Sequence, residues 1–438
     1  MQKKIVLVIP PVLEAKLPML SIAYLSAYLK KYGYNVKIID FNIFDKLENS
    51  NDIHFWNDND NCVRYFKNNI DKIRKYIKNE IIDFEPIIVG FTVYGSAFYF
   101  IKELSKLIKT FNKSIINIAG GYAWYYNPMA IVENNNIDLI VLGEGEETLL
   151  EIANKIFLKQ DLSNIDGTIY CAKKQYNNLR KEILDIDMIP FPDFSSFNIN
   201  KYKLKNTLPL LFSRGCAWRC KFCTTFKTWK NYRNRSANNI YKEIIYRIEN
   251  NRYLSNFLLY DCAYNQNLQM LEELCELLIQ NNINISFGGH AKILPMEVNL
   301  LHKMKKAGFN YFNFGLESGS SRVLKLMNKP YTSDFAEDII RKSFNAGIEV
   351  GVNLVVGFPG ETEQDFIETL RFIEKNKKYI NIIESINLCV IDKYIADNFN
   401  DITIQDCNNW HTNDMTNTLD IRQERINKLQ KIINECMR

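Results

Sequence analysis

The chain has 438 residues, 47% of them apolar and 24% charged, with a net charge of +5. That is the balance of a globular protein long enough for two or three domains, and it excludes both a disordered chain and a strongly basic nucleic-acid domain. The opening "MQKKIVLVIPP" has too short an apolar core for a signal peptide, and no run approaches the roughly 18 apolar residues of a membrane span, so the expected location is the cytoplasm and the ten cysteines are expected to be reduced.

Residues 1–160 alternate short β-rich runs with helical segments. The strand candidates are "IVLVI" (5–9), "VKIID" (36–40), "IIVGF" (87–91), "IINIA" (115–119) and "LIVLG" (139–143). Unbroken apolar runs of this length suit a parallel sheet covered on both faces. "LSIAYLSAYLKKYG" has helical spacing and a glycine stop at Gly33. The expectation is a doubly wound, flavodoxin-like α/β domain with its ligand at the carboxyl ends of the strands. Residues 45–80 read as a polar insertion. Residues 161–207, with "ILDIDMIPFPDF", read as a connector.

A second βα series runs from residue 208 to 392. Its strand candidates are "LPLLFS" (208–213), "NFLLYD" (256–261), "INISFGG" (283–289), "YFNFGLES" (311–318), "EVGVNLVVGFP" (349–359) and "ESINLCVI" (384–391). Amphipathic segments such as "LQMLEELCELL" separate them. Six such units predict a partial (β/α)6 barrel, whose chemistry belongs at the C-terminal ends of the strands. Residues 393–438 form a C-terminal segment with "NNWHTND" and an amphipathic helix near 421–436.

Directly after the first strand of this series comes "SRGCAWRCKFCTTF", with Cys216, Cys220 and Cys223 spaced Cys-x3-Cys-x2-Cys. Three thiolates are one too few for a structural zinc or a fully ligated [4Fe–4S] cluster. They would leave one iron of a cube open to a small molecule. Arg214, Arg219 and Lys221 flank the loop and would favour thiolate over thiol. The basic run "KTWKNYRNR" that follows reads as a solvated face in preference to a phosphate site. Cys262 and Cys389 read as small buried hydrophobes.

The triad after a barrel strand, with Phe222 before its last cysteine, resembles the radical S-adenosylmethionine superfamily. The resemblance implies that the open iron chelates S-adenosylmethionine and that an electron from the cluster breaks its carbon–sulfur bond, releasing a 5′-deoxyadenosyl radical. "FGLESGSSRVLKLMNK" is similar to the family's fourth-strand segment, which implies that Glu317, with Ser318 beside it, meets the nucleoside sugar. "VVGFPGET" is similar to the fifth, implying close approach of adenine to Gly357 and Gly360. The same likeness puts Asp261 near the methionine amino group and His290, followed by Lys292, at the end of the third strand, where many relatives have arginine.

"GFTVYGS", "AGGYAW" and "LGEGEETLLEI" resemble the cobalamin-binding domain that precedes one branch of this superfamily, so the likeness spans about residues 3–385. It implies that Thr92, Gly120, Gly121, Gly143 and Glu144 line a cobalamin site. Many such domains carry Asp-x-His-x-x-Gly after the first strand; "PPVLEAKLPMLS" has no histidine, so no protein imidazole is expected on the cobalt. The function implied is a cobalamin-dependent radical methyltransferase acting on an unreactive carbon of a small molecule or peptide. Its cofactors would be a [4Fe–4S] cluster, S-adenosylmethionine and cobalamin, with flavodoxin or ferredoxin as electron donor and no role for membrane or nucleic acid. The alternatives are a cyclisation or rearrangement with the same cofactors, or a non-catalytic corrinoid-binding protein. A tRNA methylthiotransferase needs a second cysteine triad, and residues 1–160 hold only Cys62.

Overall fold

The computed structural model describes residues 3–11, 15–43, 55, 58–94, 97–121, 132, 133, 136–392 and 395–436. The chain divides into two compact units, Met1–Lys205 and Asn206–Arg438. Among the described residues no helix is long and apolar enough to cross a membrane.

Among the described residues the first unit is built on seven strands: β1 (Lys4–Ile9), β2 (Asn35–Asp40), β3 (Ile88–Thr92), β4 (Ile116–Gly120), β5 (Leu139–Val141), β6 (Thr168–Tyr170) and β7 (Gln175–Tyr176), in the order β2-β1-β3-β4-β5-β6-β7. The first five pair in parallel and the last two are antiparallel. Ile5 through Ile9 are all buried, as a strand covered on both faces requires. The order reverses between β1 and β3, the switch point at which open α/β sheets bind ligands.

Two stretches do more than their sequence suggests. Within the 45–80 insertion, the helices Asn59–Asn68 and Ile70–Ile77 bury Cys62, Tyr65, Phe66 and Ile77 in the core of this unit. Their apolar positions recur at helical spacing between charged ones, which reads as polar when only composition is weighed. The 161–207 stretch supplies β6 and β7 to the sheet edge. Its Asp193 accepts hydrogen bonds from Ser26 Oγ at 2.8 Å and Lys30 Nζ at 2.6 Å, fastening it to the helix Leu20–Lys31. Burial alone would raise the Asp193 pKa; Lys30, Ser195 and Ser26 overcome it and hold it at about 2.

In the second unit β8 (Thr207–Leu210), β11 (Asn256–Leu259), β12 (Ser286–Ala291), β13 (Phe309–Glu317), β14 (Glu349–Val356) and β15 (Ile382–Leu388) form one parallel sheet in sequence order. Helices lie between consecutive strands, so this is the partial (β/α)6 barrel the periodicity predicts. Two small antiparallel pairs are added: β9 (Ser213–Arg214) with β10 (Arg233–Asn234), and β16 (Ile402–Ile404) with β17 (Trp410–Thr412). Aromatic rings fill part of the interior, with Phe287 stacked on Phe309 at 4.8 Å and Tyr264 on Phe309 at 5.6 Å.

The C-terminal segment packs against the end of β14. Asn417 Nδ2 donates to the carbonyls of Gly357 and Phe358 at 3.1 and 3.2 Å, and Arg425 donates to Glu361 Oε2 at 2.9 Å. The Trp410 indole is fully buried and donates to the Cys389 carbonyl at 2.9 Å; the Arg422 guanidinium lies 3.9 Å from its ring centre.

Gly308 precedes β13 at φ +98°, and a Cβ there would stand 1.9 Å from the carbonyl oxygen of Ile285. Gly308→Ala should therefore destabilise the second unit by at least about 2 kcal/mol, the left-handed penalty being compounded by overlap with backbone. The urea midpoint of that unit checks it.

Candidate active site

Everything that shapes the cysteine loop is at the C-terminal end of the barrel strands. The chain leaves β8, enters the loop through β9 and returns through β10, so Ser213–Arg214 and Arg233–Asn234 close its neck. Gly215 turns the chain at φ +82°, and a Cβ there would lie 2.3 Å from the Asn231 carbonyl oxygen; only glycine lets the two arms approach so closely. Gln266, after β11, straps the loop: its Oε1 accepts the Ala217 amide at 2.9 Å, and its Nε2 donates to the Gly215 carbonyl at 3.3 Å. The Lys221 amide donates to the Met327 carbonyl at 3.0 Å. Asn328 and Asn398 donate to the carbonyls of Arg219 and Lys221 at 2.8 and 3.0 Å.

The loop is thus fixed by backbone bonds, with its three cysteines free of disulfides. Cys220 is buried, while Cys216 and Cys223 are partly exposed. Among the described residues no three His, Cys, Asp or Glu side chains converge on a single metal ion.

The cations that act on these thiols differ from those adjacent in sequence. Arg219 donates to the carbonyls of Cys216 and Lys230 at 2.6 and 2.8 Å, and Arg214 lies over the Trp229 ring. Lys292 and Lys329 face the thiols instead. Lys329 Nζ is 2.9 Å from Glu317 Oε1, and Lys292 Nζ donates to Gln266 Oε1 at 2.5 Å. Burial pushes the Cys220 thiol up to about 11 against the pull of Lys329. Sequence adjacency gave no signal for Lys329, which follows the helix Ser321–Leu326 after β13, or for Gln266, which follows β11.

Glu317 ends β13 at φ +66°, beside a register shift in the pairing with β14. A left-handed glutamate is uncommon and marks a strained position. It is buried and brought beside Cys220 through Lys329. Phe222 packs edge-on against Phe358 at 6.4 Å, joining the loop to the turn after β14. Gly357 and Gly360 shape that turn, but the space over Gly357 is filled: a Cβ would fall 2.2 Å from Arg422 Cγ and Cδ. Ser318 is fully buried with its hydroxyl 3.1 Å from Thr369 Oγ1, so it holds its own turn. Asp261 is also internal, accepting the Phe212 amide at 3.0 Å and the Ser213 hydroxyl at 2.6 Å, and so fixes the approach to the loop. His290 is exposed at the end of β12; surrounding protein lowers its pKa, with Glu384 and Glu317 opposing. Cys389 is buried, as expected, but Cys262 is exposed: it follows β11 on the open side, where partial enclosure first, then Cys216, Asp261 and Cys223, push its thiol up to about 12.

In the first unit Thr92, Gly120, Gly121, Gly143 and Glu144 stand at the C-terminal ends of β3, β4 and β5. The Val93 amide donates to the Gly120 carbonyl at 2.7 Å. A Cβ built on Gly143 would meet nothing within 4 Å, so this corner is open. Glu144 is partly committed, its Oε2 accepting the Ile183 amide at 2.7 Å. The first unit's one histidine in the sequence, His54, lies outside the described residues.

A three-thiol loop at the mouth of a partial barrel, preceded by a doubly wound domain, defines a class of cluster-bearing α/β enzyme. Residues 210–373 match the profile of the Radical SAM superfamily, and residues 9–153 that of the B12 binding domain. The chain belongs to the radical S-adenosylmethionine superfamily, in the branch that carries an N-terminal B12-binding domain. An uncharacterised methyltransferase of Pyrococcus horikoshii is 27% identical over 390 residues, covering 85% of this chain and 78% of the relative. Anaerobic magnesium-protoporphyrin IX monomethyl ester cyclase of Rubrivivax gelatinosus is 26% identical over 363 residues, covering 80% of this chain and 60% of that one. The radical S-adenosylmethionine methyltransferase TsrM of Kitasatospora setae, solved with cobalamin and a [4Fe–4S] cluster, shares the fold with a TM-score of 0.69 at 17% identity, over 89% of this chain and 76% of its own.

The buried Asp261 carboxyl, pushed up to about 6 by burial against its bonds to Ser213 and Phe212, gives a pH test. The folded chain retains this proton to higher pH than the unfolded chain, so its contribution to stability falls as pH rises from about 4 through 6. Asp261→Asn should flatten that part of the urea-midpoint profile. Asp261→Ala, which strands two buried donors, should cost roughly 2–4 kcal/mol.

Proposed function

We propose that this enzyme is a cobalamin-dependent radical S-adenosylmethionine methyltransferase acting on an unactivated carbon of a small molecule or peptide. The observation that carries the reading is the preorganised loop of three thiols, one short of saturating a cube, in a chain that also has a B12-binding domain. The residues present fit the groups this requires. Cys216, Cys220 and Cys223 would hold three irons and leave the fourth for the amino and carboxylate groups of S-adenosylmethionine. Glu317 has one oxygen committed to Lys329 and the other available to sugar hydroxyls. The Gly357–Gly360 turn, braced from behind by Asn417 and Arg422, would lie along the adenine. Thr92, Gly120, Gly121 and the open corner at Gly143 would receive the cobalamin.

When bound, the cluster and S-adenosylmethionine supply a radical able to break C–H bonds, and the cobalamin supplies the methyl group. The chain's own part is to hold and shield. Phe222, Phe358 and Trp218 wall the loop with rings, and His290, whose pKa is lowered by the surrounding protein, offers an imidazole at the end of β12. A low-potential one-electron donor such as flavodoxin or ferredoxin completes the set. The likeness to the uncharacterised Pyrococcus methyltransferase supports methyl transfer. A second reading, cyclisation or rearrangement with the same cofactors, is favoured by the likeness to the Rubrivivax cyclase.

Anaerobic incubation of the reconstituted protein with cobalamin, S-adenosylmethionine and dithionite should yield both 5′-deoxyadenosine and S-adenosylhomocysteine. Chromatography of the products separates the readings, since 5′-deoxyadenosine without cobalamin-dependent S-adenosylhomocysteine favours the second. Replacing any one of Cys216, Cys220 or Cys223 by alanine should lower 5′-deoxyadenosine formation at least about a hundredfold, an interaction the reaction cannot do without.

A further inference from the structure

Two buried ammonium groups stand against the cysteine loop, and neither belongs to the cofactor contacts proposed above. The Lys329 side chain is 6% exposed, and its Nζ lies 5.6 Å from the Trp218 ring centre and 5.5 Å from that of Phe222. Lys292 is 7% exposed, with its Nζ 4.5 Å from the Trp218 ring centre. The indole of Trp218, a loop residue between Cys216 and Cys220, therefore has a lysine from β13's following turn and a lysine from the end of β12 in cation–π range. Both cations lie within electrostatic reach of the thiols, Lys329 toward Cys220 and Lys292 toward Cys216. Lys329 alone has a carboxylate partner, Glu317; Lys292 is held by the neutral Gln266 amide.

Buried cations are rarely retained without an anion to offset them. One carboxylate for two lysines leaves positive potential directed at the loop. We propose that Lys292 and Lys329 set the reduction potential of the iron–sulfur cluster, with Glu317 as the opposing charge. The inference rests on the reading that the loop holds a cluster. Reduction adds one electron from an external low-potential donor and makes the cluster more negative by one charge. A fixed cation at this range favours the reduced form over the oxidised one, and a fixed anion does the reverse. Lys292 and Lys329 are thus positioning charges, acting on the cluster without ligating it.

The test is a potentiometric titration of the full-length reconstituted protein, followed by electron paramagnetic resonance of the reduced cluster. In Lys329→Met the ratio of reduced to oxidised cluster at a fixed potential should fall about tenfold, a shift of 59 mV for a one-electron couple. Lys292→Met should move it the same way. Lys329→Arg should stay near the parent, and Glu317→Gln, which keeps both lysines, should move it in the opposite direction. A merely structural role would change iron content or melting temperature without this pattern of signs. Parent-like potentials in Lys292→Met and Glu317→Gln, or shifts of the same sign in both, would overturn the proposal. A parent protein that assembles no cluster from iron and sulfide would overturn the reading of the loop itself.

Discussion

A loop can present three thiols to a cluster only if its backbone is held by something other than the metal. Here that constraint is met at the neck, where Gly215 and the Asn231 carbonyl come so close that no side chain fits between them. From this contact follow the β9–β10 closure, the strap from Gln266 and the bonds from Met327, Asn328 and Asn398. These partners come from three places in the chain: after β11, after β13 and after β15. The loop is therefore specified by the whole second unit, and its geometry depends on the barrel having closed that far. Burial holds the Cys220 thiol protonated, so a metal bound there must displace its proton.

The far side of the site depends on a second set of buried charges. Glu361 is pushed up to about 7 by burial, against Arg425, and its Oε2 also accepts the Gly357 amide at 2.7 Å. Breaking such a pair on one side leaves an uncompensated charge and costs several kcal/mol. The C-terminal helix is therefore tied to the turn after β14 through Arg425, and through Asn417 and Arg422 to the backbone at Gly357. Trp410, Phe358, Phe399 and Phe222 share one apolar cluster, which carries the same restraint to the cysteine loop. Trp410 packs within that cluster.

Much of this was legible in the sequence, because its main signals are local. Unbroken apolar runs marked β1 and β3, amphipathic spacing marked the helices, and the triad's spacing marked the loop and its place after a barrel strand. The less legible features are non-local. Nothing near Cys216 points to Gln266, fifty residues away, or to Lys329. Arg214, Arg219 and Lys221 are adjacent in sequence, yet their side chains serve carbonyls, rings and solvent. Composition hid the helices at 59–77, since their buried positions are diluted by exposed lysine, aspartate and asparagine. Strand alternation does not settle which residue after a strand end is internal, so Asp261 and Cys262 exchange the burial expected of a carboxylate and a thiol.

Glu317 joins these points. Left-handed backbone costs a glutamate about 1–2 kcal/mol, and the strand could end without it, as β12 and β14 do. The register shift at Gly315–Glu317 turns the carboxylate toward Lys329. The Tyr331 hydroxyl donates to the Gly315 carbonyl at 2.8 Å and steadies the same bend. A built Cβ on Gly315 would meet Glu317 Oε1 at 2.6 Å, so the residue before the shift has to be glycine for the carboxylate to fold back. Asn328, also left-handed, ends the excursion and reaches the Arg219 carbonyl. Strain of this kind persists only where surrounding contacts over-determine it. Here they join one carboxylate, one ammonium and the buried thiol of Cys220, and the backbone between β13 and Lys329 is shaped by the need to keep those three groups in register.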